Sequence, residues 1–404
     1  MSETFDFTNR LKLICLILIA IGIVSLTFGY LEYAGPESYH QRFWANILVN
    51  NFLFLGVAVG ATFFVALQYV ANAGWSVAIK RIPEAMGAFI PIAAVLMLVF
   101  YFAGGKNLYH WIHELHKTVP DAIIAGKSSY LNEPFFIIRM IGFFAIWSFF
   151  WWFFRRSSMK EDQTGGLDSY KSSRRLGSIF MILFALTVSF ASFDWLMSLD
   201  PHWFSTMFGV YSFSGIILHT IAIIAIIVVF LKRKGYLKGT NENHVHDLGR
   251  LMFGFSTFWI YIWYFQFMLI WYANIPEETA YFKHRVEGPW LGYFIANAVV
   301  NWAIPFFALM TRNSKRNLMN VTIIGIVLVF GYWLDLYVTV FPSAVGVIGE
   351  TGMMPLPPSI GYLEIGGFLG YIGLFMLVLG RFLSKAPLMP KKHPLLEESL
   401  HLHT

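Results

Sequence analysis

The chain has 404 residues, of which 57% are hydrophobic, 18% aromatic and only 13% charged. A soluble domain carries about 25% charged residues, so this composition excludes a single water-soluble globule and points to a bilayer as the solvent. The one cysteine, Cys15, excludes a disulfide within the chain, a cysteine-held iron–sulfur cluster and covalently attached c-type haem.

Arg10 and Lys12 precede an apolar run that is too long for a signal-peptide core and lacks a small-x-small cleavage site, so it reads as an uncleaved first membrane helix. Crossing a bilayer takes roughly 20 residues. The predicted spans lie near 11–31, 45–73, 86–103, 134–155, 176–197, 205–231, 250–273, 289–310, 319–341 and 362–382. The predicted fold is therefore all-α and polytopic, with a ten-helix transmembrane domain over 1–382 and a tail over 383–404. No segment shows the alternation of a membrane β-barrel, and no strands are expected.

Orientation follows from lysine and arginine. With the N-terminus in the cytoplasm, 22 of the 29 basic residues fall on cytoplasmic segments and helix ends. The opposite side holds Arg42, Lys106, Lys117, Lys127, Lys283 and Arg285, and Arg139 lies within a helix. Both termini are thus expected in the cytoplasm. The net charge of +6 is topogenic, and no basic stripe is left to suggest nucleic acid. Two outer loops are long, 104–133 and the Pro/Gly-rich 342–361. The second reads either as a coil lid or as a surface packed on a partner or headgroups. The tail reads as a solvated end or as a docking segment.

An ionisable residue at the bilayer centre costs on the order of 3 kcal/mol, so each one is a candidate for function. His219 lies near the middle of the sixth helix. Arg139, Asp194, Asp335 and Glu364 lie toward the outer face. Ser205, Gly209, Ser212, Gly215 and His219 share one face of the sixth helix. Arg250, Gly254, Thr257, Tyr261 and Tyr264 share one face of the seventh, with Gln266 just beyond. These stripes read either as helix packing or as two half-pathways for protons meeting near His219 and Tyr264. Asp335 shares a face with Gly325, Tyr332 and Thr339, and at its depth it suits either an ion pair with Arg139 or a relay. Asn46/Asn50 and Asn297/Asn301 are matching N-x-x-x-N pairs, a faint sign of an internal repeat.

Other chemistry finds little support. Only His219 is deep, whereas a bis-histidine haem needs two deep histidines. His110, His113 and His116 in "HWIHELH" do not make H-E-x-x-H and read as an interfacial amphipathic segment. "FDWLMSLDPHWFSTMFGVY", from Phe193 to Tyr211, reads as a helix end, a tight outer-face corner and the start of the next helix. Asp200-Pro201 starts the turn, Asp200 and His202 are its titratable groups, and Trp195 and Trp203 suit interfacial anchoring.

That stretch, with "WYANIPEETAYF" from Trp271 to Phe282, carries a family resemblance. The whole chain resembles the F subunits of bacterial alternative complex III, within the polysulfide-reductase-type (NrfD-like) membrane subunits. The resemblance implies two four-helix bundles with two flanking helices, in the cytoplasmic membrane of a bacterium. It implies a non-redox subunit of a quinol:cytochrome c (or oxidase) oxidoreductase. Such a subunit binds no cofactor of its own, has no catalytic residue and no metal site, and works beside a multihaem cytochrome c, an iron–sulfur protein and a sibling NrfD-like subunit. Lipids, and a terminal oxidase as electron acceptor, complete the implied partners. A menaquinone or other quinone bound by this chain is the alternative, as are a secondary transporter and a lipid-acting membrane enzyme. In the first reading the chain anchors outer electron-transfer subunits and relays protons past His219.

Overall fold

The computed structural model describes residues 3–32, 37–349 and 352–402. Among them are ten helical elements long and apolar enough to cross a membrane. They are α1 (Asn9–Glu32), α2 (Glu37–Val70), α3 (Arg81–Ala103), α4 (Glu133–Thr164), α5 (Asp168–Trp195), α6 (Met207–Arg233), α7 (Glu242–Ala273), α8 (Gly288–Ala308), α9 (Leu318–Ala344) and α10 (Tyr362–Leu383). Every predicted span is present. The helices overrun the apolar runs where charged residues continue the helix, as at the end of α4 and the starts of α5 and α7. Hydropathy marks the hydrocarbon slab, whereas hydrogen bonding and capping set the helix ends.

Two elements are not uniform helices. In α3 a 3-10 turn, Gly87–Phe89, separates Arg81–Met86 from Ile90–Ala103. In α8 a π turn spans Val299–Ala303, and Ile304 N–H bonds Val299 O. The cause is Pro305, which has no N–H to offer the carbonyl of Asn301 and clashes with it in α geometry. Contrary to the strand-free expectation, β1 (Gly346–Gly349) and β2 (Gly352–Pro355) form an antiparallel hairpin. It lies in the segment between α9 and α10, of which residues 350 and 351 lie outside the described residues. The loop folds onto its own chain. Trp290 Nε1 donates to Leu356 O, and Tyr337 exchanges hydrogen bonds with Ser359.

Helices α2 and α6 form the centre, with 83% and 89% of their most apolar stretches buried, against 11% for α1. Helix α6 packs on α2, α5, α7 and α9, while α1 packs chiefly on α10. The α1–α10 contact is built from small residues. A Cβ on Gly22 would lie 2.4 Å from Gly370 Cα, and one on Gly366 would lie 1.9 Å from Ser25 Oγ. Apolar helices in lipid gain little from hydrophobic burial against each other, so such close backbone approach supplies the attraction.

The chain ends meet on one face. Thr4 forms a β-bridge with Pro387, and Leu388 N donates to Glu3 O at 2.9 Å. The tail is not a solvated end. Ser399 Oγ donates to Trp75 O, Ala78 N donates to Ser399 Oγ, and Asn241 and Asn243 both donate to Leu402 O.

Gly370→Leu is expected to force α10 off α1 at a cost of about 1–3 kcal/mol. The check is a fall in disulfide trapping between cysteines placed on α1 and α10, with the other helix pairs still trapping normally.

Candidate functional site

His219 is fully buried on α6. Its Nδ1 lies 2.6 Å from Gly215 O, one turn earlier, and its Nε2 lies 2.9 Å from Asn301 Oδ1 on α8. Asn301 Nδ2 faces three oxygens: Asn297 Oδ1 at 2.6 Å, Asn297 O at 3.1 Å and Gly331 O at 3.0 Å. Asn297 Nδ2 in turn donates to Asp335 Oδ1 on α9 at 2.7 Å, and the Tyr211 hydroxyl donates to the same oxygen. One unbroken hydrogen-bonded line therefore runs His219, Asn301, Asn297, Asp335, Tyr211.

Local sequence explains the placement. Asn297 and Asn301 are four apart on α8, so their amides stack along one face. Gly331 makes room for the second, since a Cβ there would lie 2.3 Å from Asn301 Oδ1. Tyr332 stacks flat on the His219 ring, with centroids 4.3 Å apart and an interplanar angle of 3°. Gly56 leaves space for the Tyr332 hydroxyl, which a Cβ would approach to 2.8 Å. A cavity of about 10 Å³ lies beside Asp335, Tyr211, Ser212 and Gly215, close to the room one water needs.

The predicted residues divide. The α6 stripe is buried through Gly209, Ser212, Gly215 and His219. The α7 stripe is not part of the site, because Tyr261 and Tyr264 are 53% and 48% exposed and Arg250 and Thr257 also point outward. Helical spacing fixes that these residues share a face but not which way the face turns. Gln266, two residues beyond Tyr264, is buried on the other side of α7.

Asp335 does not pair with Arg139. Arg139 instead makes a bidentate ion pair with Asp194, at 2.7 and 2.9 Å, and also donates to Tyr130 O. Similar depth suits both carboxylates, but Asp194 is on the adjacent, antiparallel α5. Glu364 is likewise ion-paired. It accepts two bonds of 2.7 Å from Arg42 and caps α10 by accepting from Gly361 N at 2.8 Å.

Between α5 and α6 the chain turns through a short 3-10 turn, Met197–Leu199, and the Asp200–Trp203 turn. His202 Nε2 lies 3.5 Å from Asp121 Oδ1, and Lys127 Nζ donates to Pro201 O at 2.6 Å. Asp200 accepts in the backbone turn to Trp203. Trp195 and Trp203 do not anchor at the interface. Both are buried, Trp195 among Phe52, Phe143, Phe144 and Trp147, and Trp203 stacked on Tyr281 at 3.8 Å.

Sequence reasoning missed a second buried cluster, near the face where the termini meet. Lys80 Nζ donates to Tyr69 Oη at 2.6 Å and to Glu161 at 3.2 Å. Arg81 bonds Glu84 at 2.9 Å, Ser158 Oγ at 2.9 Å and Asp162, and Arg155 reaches Glu84 at 3.4 Å. Three cations thus face three carboxylates. In the sequence Lys80 and Arg81 are only two of the 22 basic residues that set orientation. Glu84 beside them, in a stretch that enters the membrane, was the available clue. Small cavities of about 20 and 40 Å³ run from this cluster toward α6. Both are lined by Gln68, and the second reaches Thr220, the neighbour of His219.

The tail residue His393 packs on Tyr69 and Tyr170 above this cluster. Burial, then the charges of Lys80 and Arg81, push its imidazole down to about 2. Comparison with protein-family profiles and with curated proteins finds no match.

Removing one partner of the Arg139–Asp194 pair strands a buried charge, so Arg139→Ala is expected to cost about 3–5 kcal/mol. Unfolding in a denaturing detergent titration measures this, and Arg139→Ala with Asp194→Leu should be milder than the single change.

His393 supplies a pH dependence. Its folded value lies below the unfolded 6.5, so docking is strongest above that value and weakens as pH falls, because only the undocked tail takes up the proton. Proteolysis within 384–402 should therefore accelerate on acidification below about pH 6.5. His393→Phe should flatten that dependence.

Proposed function

We propose that this chain is a non-redox membrane subunit of a quinol:electron-acceptor oxidoreductase, which anchors outer-face electron-transfer proteins and passes protons through its interior. The observation that carries the proton role is the buried line from His219 to Asp335 and Tyr211. Ionisable groups held at membrane depth are costly, and proton relays are among their commonest uses. The oxidoreductase setting rests on the resemblance in the two quoted motifs.

In this reading the inner approach runs between α2 and α6, past Lys80, Glu161, Gln68 and Thr220. It does not use the α7 tyrosines. The outer approach passes Ser212 and Tyr211 to Asp335. The basic-residue bias supports cytoplasmic termini, and the bacterial setting rests on the resemblance. The contacts among α2 to α5, among α6 to α9 and between α1 and α10 agree with two four-helix bundles and two flanking helices.

A secondary transporter is the second reading. It is favoured by the interrupted α3 and α8, the third helix of each half, since paired broken helices are the usual pointer to a transport site. Purification in mild detergent separates the two. The first reading expects haem- and iron–sulfur-containing proteins to co-purify, and a transporter expects none. In the reconstituted assembly, His219→Ala and Asp335→Asn should each lower protons released per quinol oxidised while subunit composition is retained. Unchanged proton release in both variants would leave anchoring as the sole role.

A further inference from the structure

We infer that Asn297 and Asn301 are positioning residues that hold His219 as an imidazolium and Asp335 as a carboxylate, a single charge pair bridged by two aligned amides. This deepens the proton reading of the site but does not require the chain to belong to an oxidoreductase.

Both ring nitrogens of His219 face oxygens that only accept. Gly215 O is a backbone carbonyl, and Asn301 presents its side-chain carbonyl. A neutral imidazole has one N–H, so one of the two contacts would set a lone pair against a lone pair. Reversing Asn301 would relieve the contact at Nε2 but would place its carbonyl oxygen against three others, Asn297 Oδ1, Asn297 O and Gly331 O, at 2.6, 3.1 and 3.0 Å. Reversing Asn297 as well removes only the first of these and turns a carbonyl toward Asp335 in place of the donor now 2.7 Å away. The backbone carbonyls of Asn297 and Gly331 cannot turn, so they fix the direction of the whole line.

That direction is the one a charge pair needs. Each amide points its oxygen at the histidine and its nitrogen at the carboxylate, so both dipoles favour positive charge at His219 and negative charge at Asp335. Tyr332, lying flat against His219, presents the negative face of its ring to the cation. Tyr211 adds a second donor to Asp335. A lone buried charge in either place would be expensive, whereas pairing the two through hydrogen bonds offsets that cost.

The test is nitrogen-15 solid-state NMR of the purified full chain in lipid, labelled at histidine, with His219→Gln identifying the residue's signals. Wild-type protein at neutral pH is expected to show both ring nitrogens of His219 protonated. Asp335→Asn, which does not touch the ring, should cost His219 its second N–H. The double variant Asn301→Asp with Asp335→Asn, which moves the carboxylate next to the ring, should restore it. A wild-type spectrum with one protonated and one bare nitrogen would overturn the inference, as would a doubly protonated ring in Asp335→Asn. The wild-type spectrum alone decides the matter if the variants fail to fold, and no outcome depends on measuring proton transport.

Discussion

In hydrocarbon no water is present to satisfy a polar group, so every buried donor, acceptor and charge must find its partner within the protein. Most of this structure can be read as a response to that constraint. Arg139 is matched by Asp194, Arg42 by Glu364, and the Lys80, Arg81 and Arg155 cations by Glu84, Glu161 and Asp162. Among the described residues Arg285 makes no ion pair with a carboxylate and is served by carbonyls and a hydroxyl. It donates to Val338 O, Tyr281 O and Thr339 O and to Ser343 Oγ. Val338 O is open to it because Pro342, four residues on, has no N–H.

The same constraint makes the His219 line unusual. In the ion pairs above opposite charges touch, whereas here imidazole and carboxyl group stand apart with two amides between them. Holding them apart takes three helices with special local chemistry: a π turn in α8 forced by Pro305, a glycine at 331 on α9 that admits Asn301, and a carbonyl at 215 on α6 one turn before the histidine. The π turn and the glycine at 331 both lie where the line passes, a usual place for local rules to give way to function.

The ten helices were legible in the sequence because bilayer thickness sets a minimum apolar length for every span. His219 stood out for its depth alone. Less legible were Asn297 and Asn301, which are uncharged and attracted notice only as a spacing. Glu84 was hidden among the basic residues used for orientation. The α7 stripe misled because periodicity defines a face without naming what the face meets. Tyr261 and Tyr264 turn outward while Gln266 turns in.

The sequence by itself determined the number and order of helices long and apolar enough to cross a membrane, the presence of a deep histidine and a turn near Asp200-Pro201, because these depend on local composition and backbone chemistry. Only the tertiary structure decided which carboxylate Arg139 meets, that two asparagines join His219 to Asp335, and that the tail covers the Lys80 cluster. Those pairings join residues tens to hundreds of positions apart. They are selected by side-chain geometry and by the cost of leaving a polar group unpaired in the membrane, neither of which a linear pattern records.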